Sequence, residues 1–335
     1  MGTLRRFRPA VAWVALAAGA ALLGGCADSP SAIDPQGPRA SSIATLWWVL
    51  LAIGALVWII VMVLLLLAVF RRRREPAPGQ ELPEPQKLVL LGGAVLPAIV
   101  LVVMMFLIMH TLAGISKAGG PNDLTVEVIG HDWWWEIRYP DQGFTTANEI
   151  HIPVGEPVQL KLSSADVIHS FWVPQLQGKM DLIPGQTNTL WIQADKAGDY
   201  RGQCAEYCGL QHAHMAIHVI AEDSGKLDDW MTAQAKPAAQ PADAQALNGQ
   251  QLFMGSACVY CHAIRGNGAS GQLGPDLTHL ASRGFIGAGV IENNPENLGK
   301  WIEDPQHFKP GNYMPPTNLD NESLNALLSY LETLR

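Results

Sequence analysis

Residues 202–215 read Gly-Gln-Cys-Ala-Glu-Tyr-Cys-Gly-Leu-Gln-His-Ala-His-Met and carry the strongest chemical signal in the chain. They combine thiols, imidazole and a thioether, and a further histidine, His169, stands upstream in Val-Ile-His-Ser-Phe-Trp. Thiolate and thioether sulfur are soft ligands, imidazole suits copper, and a weak axial methionine is typical of electron-transfer copper sites. A mononuclear blue copper site needs one cysteine, whereas Cys204 and Cys208 can bridge two metal ions with one histidine for each.

Other interpretations of this stretch explain fewer of its residues. A disulfide between the two cysteines is possible in an oxidising compartment, but it would not require the neighbouring His212 and Met215. A zinc site has no need of a thioether. Copper is therefore the preferred interpretation.

The residues around the copper motif have the pattern of short strands. Residues 125–128 and 157–162 alternate between apolar and polar side chains, and turn signals fall at 153–155 and 184–185. This spacing predicts a β-sandwich over roughly 123–229. Three consecutive tryptophans, 133–135, lie in a strand-like stretch, so at least one indole is expected at the outer surface, against the ordinary tendency of tryptophan to be buried.

Two long apolar segments precede the strands. Residues 43–70 and 88–116 contain no charged side chain and exceed the roughly 20 residues that a membrane-spanning helix needs. Four arginines and Lys87 lie in the connecting loop, 71–87, which the positive-inside rule makes cytoplasmic. The segment 26–42 and everything after residue 116 then lie on the outer side.

The charge of the exported portion indicates its partners. The whole chain has a net charge of −8, but 13 Lys+Arg and 25 Asp+Glu follow residue 116, which gives −12 there. Only 16% of residues are charged and 48% are hydrophobic. These numbers argue against nucleic-acid binding through general basicity and against disorder, and they favour a cationic protein partner on the outer side.

The N-terminus has the pattern of an export signal. Arg5, Arg6 and Arg8 precede an apolar run too short to cross a bilayer, which ends in Leu-Gly-Gly-Cys at 23–26. This ending resembles the lipobox of bacterial lipoproteins, which implies a signal peptide at 1–25 and an acylated Cys26. The alternative is an ordinary cleavage site followed by a chance cysteine.

A second domain follows an Ala/Pro/Gln-rich linker at 233–243. Residues 244–335 contain helical patterns at both ends and Gly/Pro/Asn-rich sequence between them. A domain of this size usually needs a stabilising cross-link, and a covalently held cofactor would supply one.

The sequence Cys-Val-Tyr-Cys-His at 258–262 indicates such a cofactor, because it is the attachment signature of c-type haem. Cys258 and Cys261 would form thioethers, and His262 would be the proximal axial ligand. A redox dithiol is the alternative. For the sixth ligand, Met314 lies in the Pro-bounded sequence Asn-Tyr-Met-Pro-Pro. Met ligation suits a carrier of high potential. The remaining candidates are Met254, too close to the motif to reach the opposite face, and the weaker rivals His279 and His307.

Together these motifs resemble subunit II of cytochrome c oxidase, in the caa-type form of haem-copper oxidase with a fused class I cytochrome c domain. The resemblance implies a membrane-anchored, multidomain chain: a two-helix transmembrane hairpin, a cupredoxin-like all-β sandwich at 117–232 with a binuclear CuA centre, and an all-α cytochrome c domain at 244–335. It implies that Cys204 and Cys208 bridge the coppers, with the remaining ligands from His169, His212, Met215 and the Glu206 carbonyl.

The resemblance also assigns roles outside the copper ligands. It implies that the Glu206 carboxylate helps to hold magnesium at the border with subunit I, and that electrons enter through Trp133. Asp166 and Asp181 stand where members of the family often carry acids. One departure concerns proton uptake: residues 88–91 are Leu-Val-Leu-Leu where relatives often carry a glutamate, and Glu84 is the nearest acid.

The implied function is electron transfer from cytochrome c, or another cationic donor, through haem c and CuA to subunit I. Oxygen is reduced to water there with proton translocation. The implied partners are subunits I and III and membrane lipid, in a two-pass protein of the bacterial inner membrane with both metal domains on the periplasmic side. The alternative is a membrane-anchored electron carrier or copper protein that belongs to no oxidase. A quinol oxidase subunit is disfavoured because the copper ligands are complete.

Overall fold

The structure, a computed structural model, describes residues 30–70, 85–116, 119–120 and 123–335. The predicted signal peptide with Cys26, the four arginines of the cytoplasmic loop and Glu84 lie outside the described residues.

Two apolar helical segments open the described chain. The first is α1, Pro38–Phe70. In the second, α2 (Pro85–Leu90), a π-helical turn (Leu91–Val95) and α3 (Leu96–Ile115) follow one another directly. Pro38–Phe70 and Leu91–Ile115 are long and apolar enough to cross a membrane. Their apolar side chains are exposed on all faces, as expected for helices that contact lipid or other membrane helices.

A β-sandwich follows, here called the sandwich domain. Five strands form one sheet in the order β3-β2-β1-β5-β8: β1 Thr125–His131, β2 Trp134–Tyr139, β3 Phe144–Ala147, β5 Val158–Ser164 and β8 Asn188–Ile192. A second sheet has the order β4-β10-β9: β4 Glu149–Pro153, β9 Gly198–Gln203 and β10 Ala216–Glu222. The hairpin β6 (His169–Phe171) and β7 (Met180–Leu182) stands beside them.

Alternating burial explains why these segments form strands around one core. In β1 the apolar Val126 and Val128 are fully buried while their neighbours are not. β1 pairs antiparallel with β2 and parallel with β5, and β10 pairs parallel with β4 and antiparallel with β9. The largest buried rings of the core are those of Trp135, Tyr139 and Phe171.

The second unit, here called the helical domain, comes after α4 (Ser224–Ala235), which continues into the predicted linker. Its helices are α5 Ala244–Gly255, α6 Cys258–Cys261, α7 Pro295–Glu303, α8 Pro305–Phe308 and α9 Asn321–Leu331. Short hairpins join β11 (Ala263–Ile264) to β12 (Ala269–Ser270) and β13 (Phe285–Ile286) to β14 (Ile291–Glu292).

The crossing of α5 and α9 organises the helical domain. Gly249 of α5 lies so close to α9 that a Cβ there would be 1.9 Å from the Ala326 carbonyl oxygen. The rings of Phe253 and Tyr330 pack at the same crossing. The order of membrane helices, β-sandwich and helical domain confirms the fold class predicted from the sequence.

Candidate metal centres in the two exported domains

Apart from His169, the predicted copper ligands lie on one loop between the last two strands of the sandwich, β9 and β10. The loop begins where β9 ends, and its two ends meet because the Cys204 N–H donates to the Met215 carbonyl at 3.0 Å. His169 comes from β6, across the core. Its ring lies against β1, where a Cβ at Gly130 would be 2.6 Å from His169 Cδ2. Gly130 therefore leaves the space that the imidazole occupies.

The loop brings the predicted donor atoms together. The two thiol sulfurs are 3.7 Å apart. Four further distances describe the cluster: Cys204 Sγ to His169 Nδ1 4.0 Å and to the Glu206 carbonyl oxygen 3.3 Å, and Cys208 Sγ to His212 Nδ1 3.6 Å and to Met215 Sδ 3.8 Å. A disulfide requires about 2 Å between the sulfurs, and both cysteines are free.

The electrostatics of the thiol pair suit a cation. A hydrogen bond from Cys208 lowers the pKa of Cys204 to about 3, and the same interaction raises the pKa of Cys208 because its thiol is the donor. The pair therefore shares one proton, which a metal ion that binds both sulfurs would displace. The sulfurs are buried together with Met215 and His169, so water is largely excluded. The residues present fit copper by donor type and by burial.

Asp166 orients the His169 ring. Its Oδ1 lies 2.8 Å from His169 Nε2, and this leaves Nδ1 facing the Cys204 sulfur. Burial favours the neutral imidazole, but Asp166 and Cys204 raise the pKa of His169 to about 9. Asp181 instead pairs with Ser170 across the β6–β7 hairpin, and its backbone carbonyl accepts a hydrogen bond from Asn188. Of the two predicted acids, only Asp166 contacts the site.

The haem motif forms the short helix α6, and His262 follows it. The His262 Nδ1 lies 2.7 Å from the Pro275 carbonyl oxygen. Because a carbonyl only accepts, the proton is on Nδ1, and Nε2 is left with a lone pair for a metal. A Cβ at Gly274 would lie 2.8 Å from His262 Cε1, and one at Gly271 would lie 2.6 Å from the Cys261 carbonyl carbon. The absence of these side chains allows the close packing around the ring.

Arg283 adds a feature that sequence reasoning missed. The residue is buried, one nitrogen donates to the Asp276 carbonyl, and its Nε has no hydrogen-bond partner among the described residues. Burial lowers the pKa of Arg283. An unpartnered buried guanidinium N–H fits a carboxylate such as a haem propionate. No motif surrounds Arg283, so only the fold reveals it.

The predicted sixth ligand lies on a loop fixed by hydrogen bonds. The Met314 N–H donates to Asn312 Oδ1, and Gln306 Nε2 donates to the Met314 carbonyl. Of the two histidine rivals, both ring nitrogens of His279 contact backbone carbonyls, and His307 is exposed to solvent.

The burial of the three consecutive tryptophans does not follow simple strand alternation, because β2 begins only at Trp134. Trp135 is fully buried, and Trp134 is partly buried and stacks on His131. Trp133 is only 7% exposed. Its Nε1 donates to the Cys208 carbonyl at 2.7 Å, and its ring packs against Tyr313 of the helical domain. The predicted point of electron entry is thus covered by the same chain.

Comparisons with known proteins match both exported domains. The family described as "Cytochrome C oxidase subunit II, periplasmic domain" matches residues 142–222, and the family "Cytochrome c" matches residues 246–335. Cytochrome c oxidase subunit 2 of Alkalihalophilus pseudofirmus is 36% identical over 92% of this chain and 92% of its own. The Bacillus subtilis protein of the same name is 32% identical over 75% of this chain and 76% of its own. A solved periplasmic domain of subunit II from Bradyrhizobium japonicum is 32% identical, with a TM-score of 0.33, over 36% of this chain and 96% of its own.

Proposed function

Because the chain belongs to the family of cytochrome c oxidase subunit II, in the form with a C-terminal cytochrome c domain, we propose that it is the subunit that receives electrons in a haem-copper oxidase. It is a membrane protein that acts as part of an oxidase complex, and its exported domains are of the copper and haem types.

The copper centre is binuclear in this proposal. The observation that carries it is the pair of buried sulfurs 3.7 Å apart, each with its own imidazole nitrogen at 3.6–4.0 Å. Cys204 and Cys208 would bridge, His169 and His212 would each bind one copper, and Met215 with the Glu206 carbonyl would be weak ligands. When bound, the copper pair supplies a one-electron carrier. The chain's own residues exclude water and hold the ligand geometry, with Asp166 orienting His169.

The helical domain would hold haem c covalently. Cys258 and Cys261 would form the thioethers, while His262 through its free Nε2 and Met314 would be the axial ligands. The bound haem supplies a second one-electron carrier. Arg283 would bind a propionate of this haem, which would satisfy its unpartnered Nε.

The membrane segments would anchor the subunit beside subunits I and III, in the bacterial inner membrane, with sandwich and helical domains on the periplasmic side. A cavity of about 580 Å³ lies between the start of α1 and the sandwich domain, lined among others by Ala40, Ile43 and Ala205. We propose that subunit I covers this side, with a shared magnesium ion at the adjacent Glu206. Acylated Cys26 would add a lipid anchor, and a cationic cytochrome c would be the donor.

Metal analysis of the purified complex tests the copper proposal. We expect two coppers per chain and an EPR signal of a mixed-valence pair, and Cys208→Ser should lose that signal. The matched control is Ser170→Ala in β6, which removes a hydroxyl that has no hydrogen-bond partner among the described residues. One copper per chain in the wild type would favour a mononuclear site.

Co-purification separates the oxidase subunit from a stand-alone carrier. The proposal expects a stable, haem-bearing partner bound through the two membrane helices, and reduction of the copper centre by reduced cytochrome c. If the chain purifies without such a partner while it still takes up copper and haem, the alternative of an independent electron carrier is correct.

A further inference from the structure

A continuous interface joins the two exported domains and closes over Trp133. The Lys309 amine of the helical domain donates to the Trp133 carbonyl at 2.8 Å and to the Gly287 carbonyl at 3.0 Å. Gln211, on the loop between β9 and β10, donates to the Pro310 carbonyl at 2.6 Å. Lys309 is only 3% exposed, so its amine is fixed at the centre of the contact.

A second group of contacts lies further along the same interface. The Glu149 carboxylate of β4 accepts hydrogen bonds from the N–H groups of Gly284 and Phe285 at 2.8 and 3.2 Å. The His218 ring of β10 stacks on Phe285 with 4.3 Å between ring centroids. The Ala216 N–H donates to the Ala288 carbonyl. Polar groups of each domain are thus satisfied by the other domain.

The connection between the domains is also bound in place. Gln234, near the end of α4, donates to the Ser282 hydroxyl, and the Ala238 N–H donates to the Arg265 carbonyl at 2.8 Å. The Lys236 carbonyl lies 3.0 Å from His279 Nε2. The orientation of the helical domain is therefore fixed at three separate places.

Tyr313, whose side chain is largely exposed at the edge of this interface, links the two proposed metal centres. It directly precedes Met314, and its ring lies 5.7 Å from that of Trp133 at an angle of 28°. Its hydroxyl lies 3.1 Å from Asp132 Oδ2. Trp133 in turn donates to the Cys208 carbonyl. One ring contact and one hydrogen bond thus connect Met314 to Cys208.

We propose that Tyr313 is the residue through which the helical domain passes electrons to the copper centre, and that Lys309 is the positioning residue that keeps Tyr313 seated on Trp133. This inference rests on the proposed function. Tyr313 and Trp133 would conduct one electron from the haem that the helical domain would hold to the copper centre that the sandwich domain would hold. The haem would be oxidised as the copper is reduced, and no bond or proton would be transferred. A separate donor protein then contacts the helical domain, because Trp133 is covered.

The test compares three variants in the purified complex. Tyr313→Leu removes the ring, Tyr313→Phe keeps the ring without its hydroxyl, and Lys309→Met keeps the chain length without the amine. The matched control is Lys300→Met, since Lys300 is exposed on α7 and its amine pairs with Glu296 across one helical turn. Rapid mixing with reduced cytochrome c separates haem reduction from copper reduction, and hydroxyl-radical footprinting reports the accessibility of the Trp133 indole.

We expect haem reduction to be unchanged in all variants. Copper reduction should slow roughly tenfold in Tyr313→Leu, which corresponds to a barrier higher by about 1.4 kcal/mol. It should stay near the wild-type rate in Tyr313→Phe. The rate at which Trp133 is footprinted should rise roughly tenfold in Lys309→Met, which corresponds to a loss of about 1.4 kcal/mol in the free energy of contact between the domains. It should be unchanged in Lys300→Met.

Two results would overturn the inference. One is a wild-type rate of copper reduction in Tyr313→Leu, and the other is a Trp133 that footprints as readily in wild type as in Lys309→Met. If reduced cytochrome c fails to reduce the haem or the copper of the wild type, the proposed function itself is wrong. That outcome is distinct, because the footprinting comparison does not depend on it.

Discussion

The crossing of α5 and α9 gives the sharpest test of the fold, through Gly249→Ala. A Cβ at this position would lie 1.9 Å from the Ala326 carbonyl oxygen, 2.6 Å from its carbon and 2.9 Å from Tyr330 Cβ. Backbone atoms of a buried helix cannot rotate away, so the helices must separate. The matched control is Gly255→Ala in the same helix, where a Cβ would meet no atom within 4 Å.

Two effects of opposite sign set the magnitude. Alanine in place of glycine favours a helix interior by up to about 1 kcal/mol. Overpacking of a tight contact costs about 1–3 kcal/mol and more where backbone must move. Separation of the helices also weakens the packing of Phe253 on Tyr330. We therefore expect Gly249→Ala to destabilise the helical domain by about 2 kcal/mol net, and Gly255→Ala to leave it unchanged or slightly stabilised.

Calorimetry of the purified full chain measures the effect. For a domain of this size, about 1 kcal/mol shifts Tm by roughly 4–8 °C, so Gly249→Ala should lower the transition of the helical domain by about 10 °C. The sandwich transition should move less. Equal Tm values for Gly249→Ala and Gly255→Ala would refute the reasoning, because only Gly249→Ala introduces a side chain into the helix crossing.

Asp166→Asn should weaken copper binding by roughly 10–100-fold in a chelator competition, because the hydrogen bond that orients His169 is altered; unchanged affinity would contradict this role. Gly274→Ala should abolish the low-spin haem spectrum, since the new Cβ would displace the His262 ring, and an unaltered spectrum would show that the ring has room. Burial lowers the pKa of Lys309 to about 7 from the ordinary 10.5. Between these values the unfolded chain holds a proton that the folded chain lacks, so the free energy of unfolding should rise with pH from about 7 to 10.5. Denaturant titrations at a series of pH values measure this free energy, and its rise with pH should be smaller in Lys309→Met.

Local patterns carried most of the prediction. The membrane helices follow from uncharged apolar runs, and the proposed copper donors follow from residue types that soft metals require, with Cys204 to Met215 within twelve residues. Such signals need no knowledge of distant contacts. The sandwich follows equally from short alternating segments such as Thr125–His131.

The interface between the domains could not be predicted, because it joins residues that are far apart in the sequence. Lys309 appears as an ordinary surface cation, and only the fold buries it against Trp133. Strand alternation also misleads at Trp133, which precedes β2 and turns under the Met314 loop. Glu149 lies in β4, which is buried along its whole length. The helical domain supplies the hydrogen-bond partners of the Glu149 carboxylate.

The fixed position of the helical domain against Trp133 has a kinetic consequence. A diffusing donor must find its surface by electrostatic steering, which salt screens over about 10 Å at ordinary ionic strength. A tethered domain has an effective concentration set by the chain itself, in the millimolar range or above, and its buried hydrogen bonds are shielded from dissolved ions. Electron delivery from outside should thus depend on donor concentration and ionic strength, while the internal transfer past Tyr313 should depend on neither.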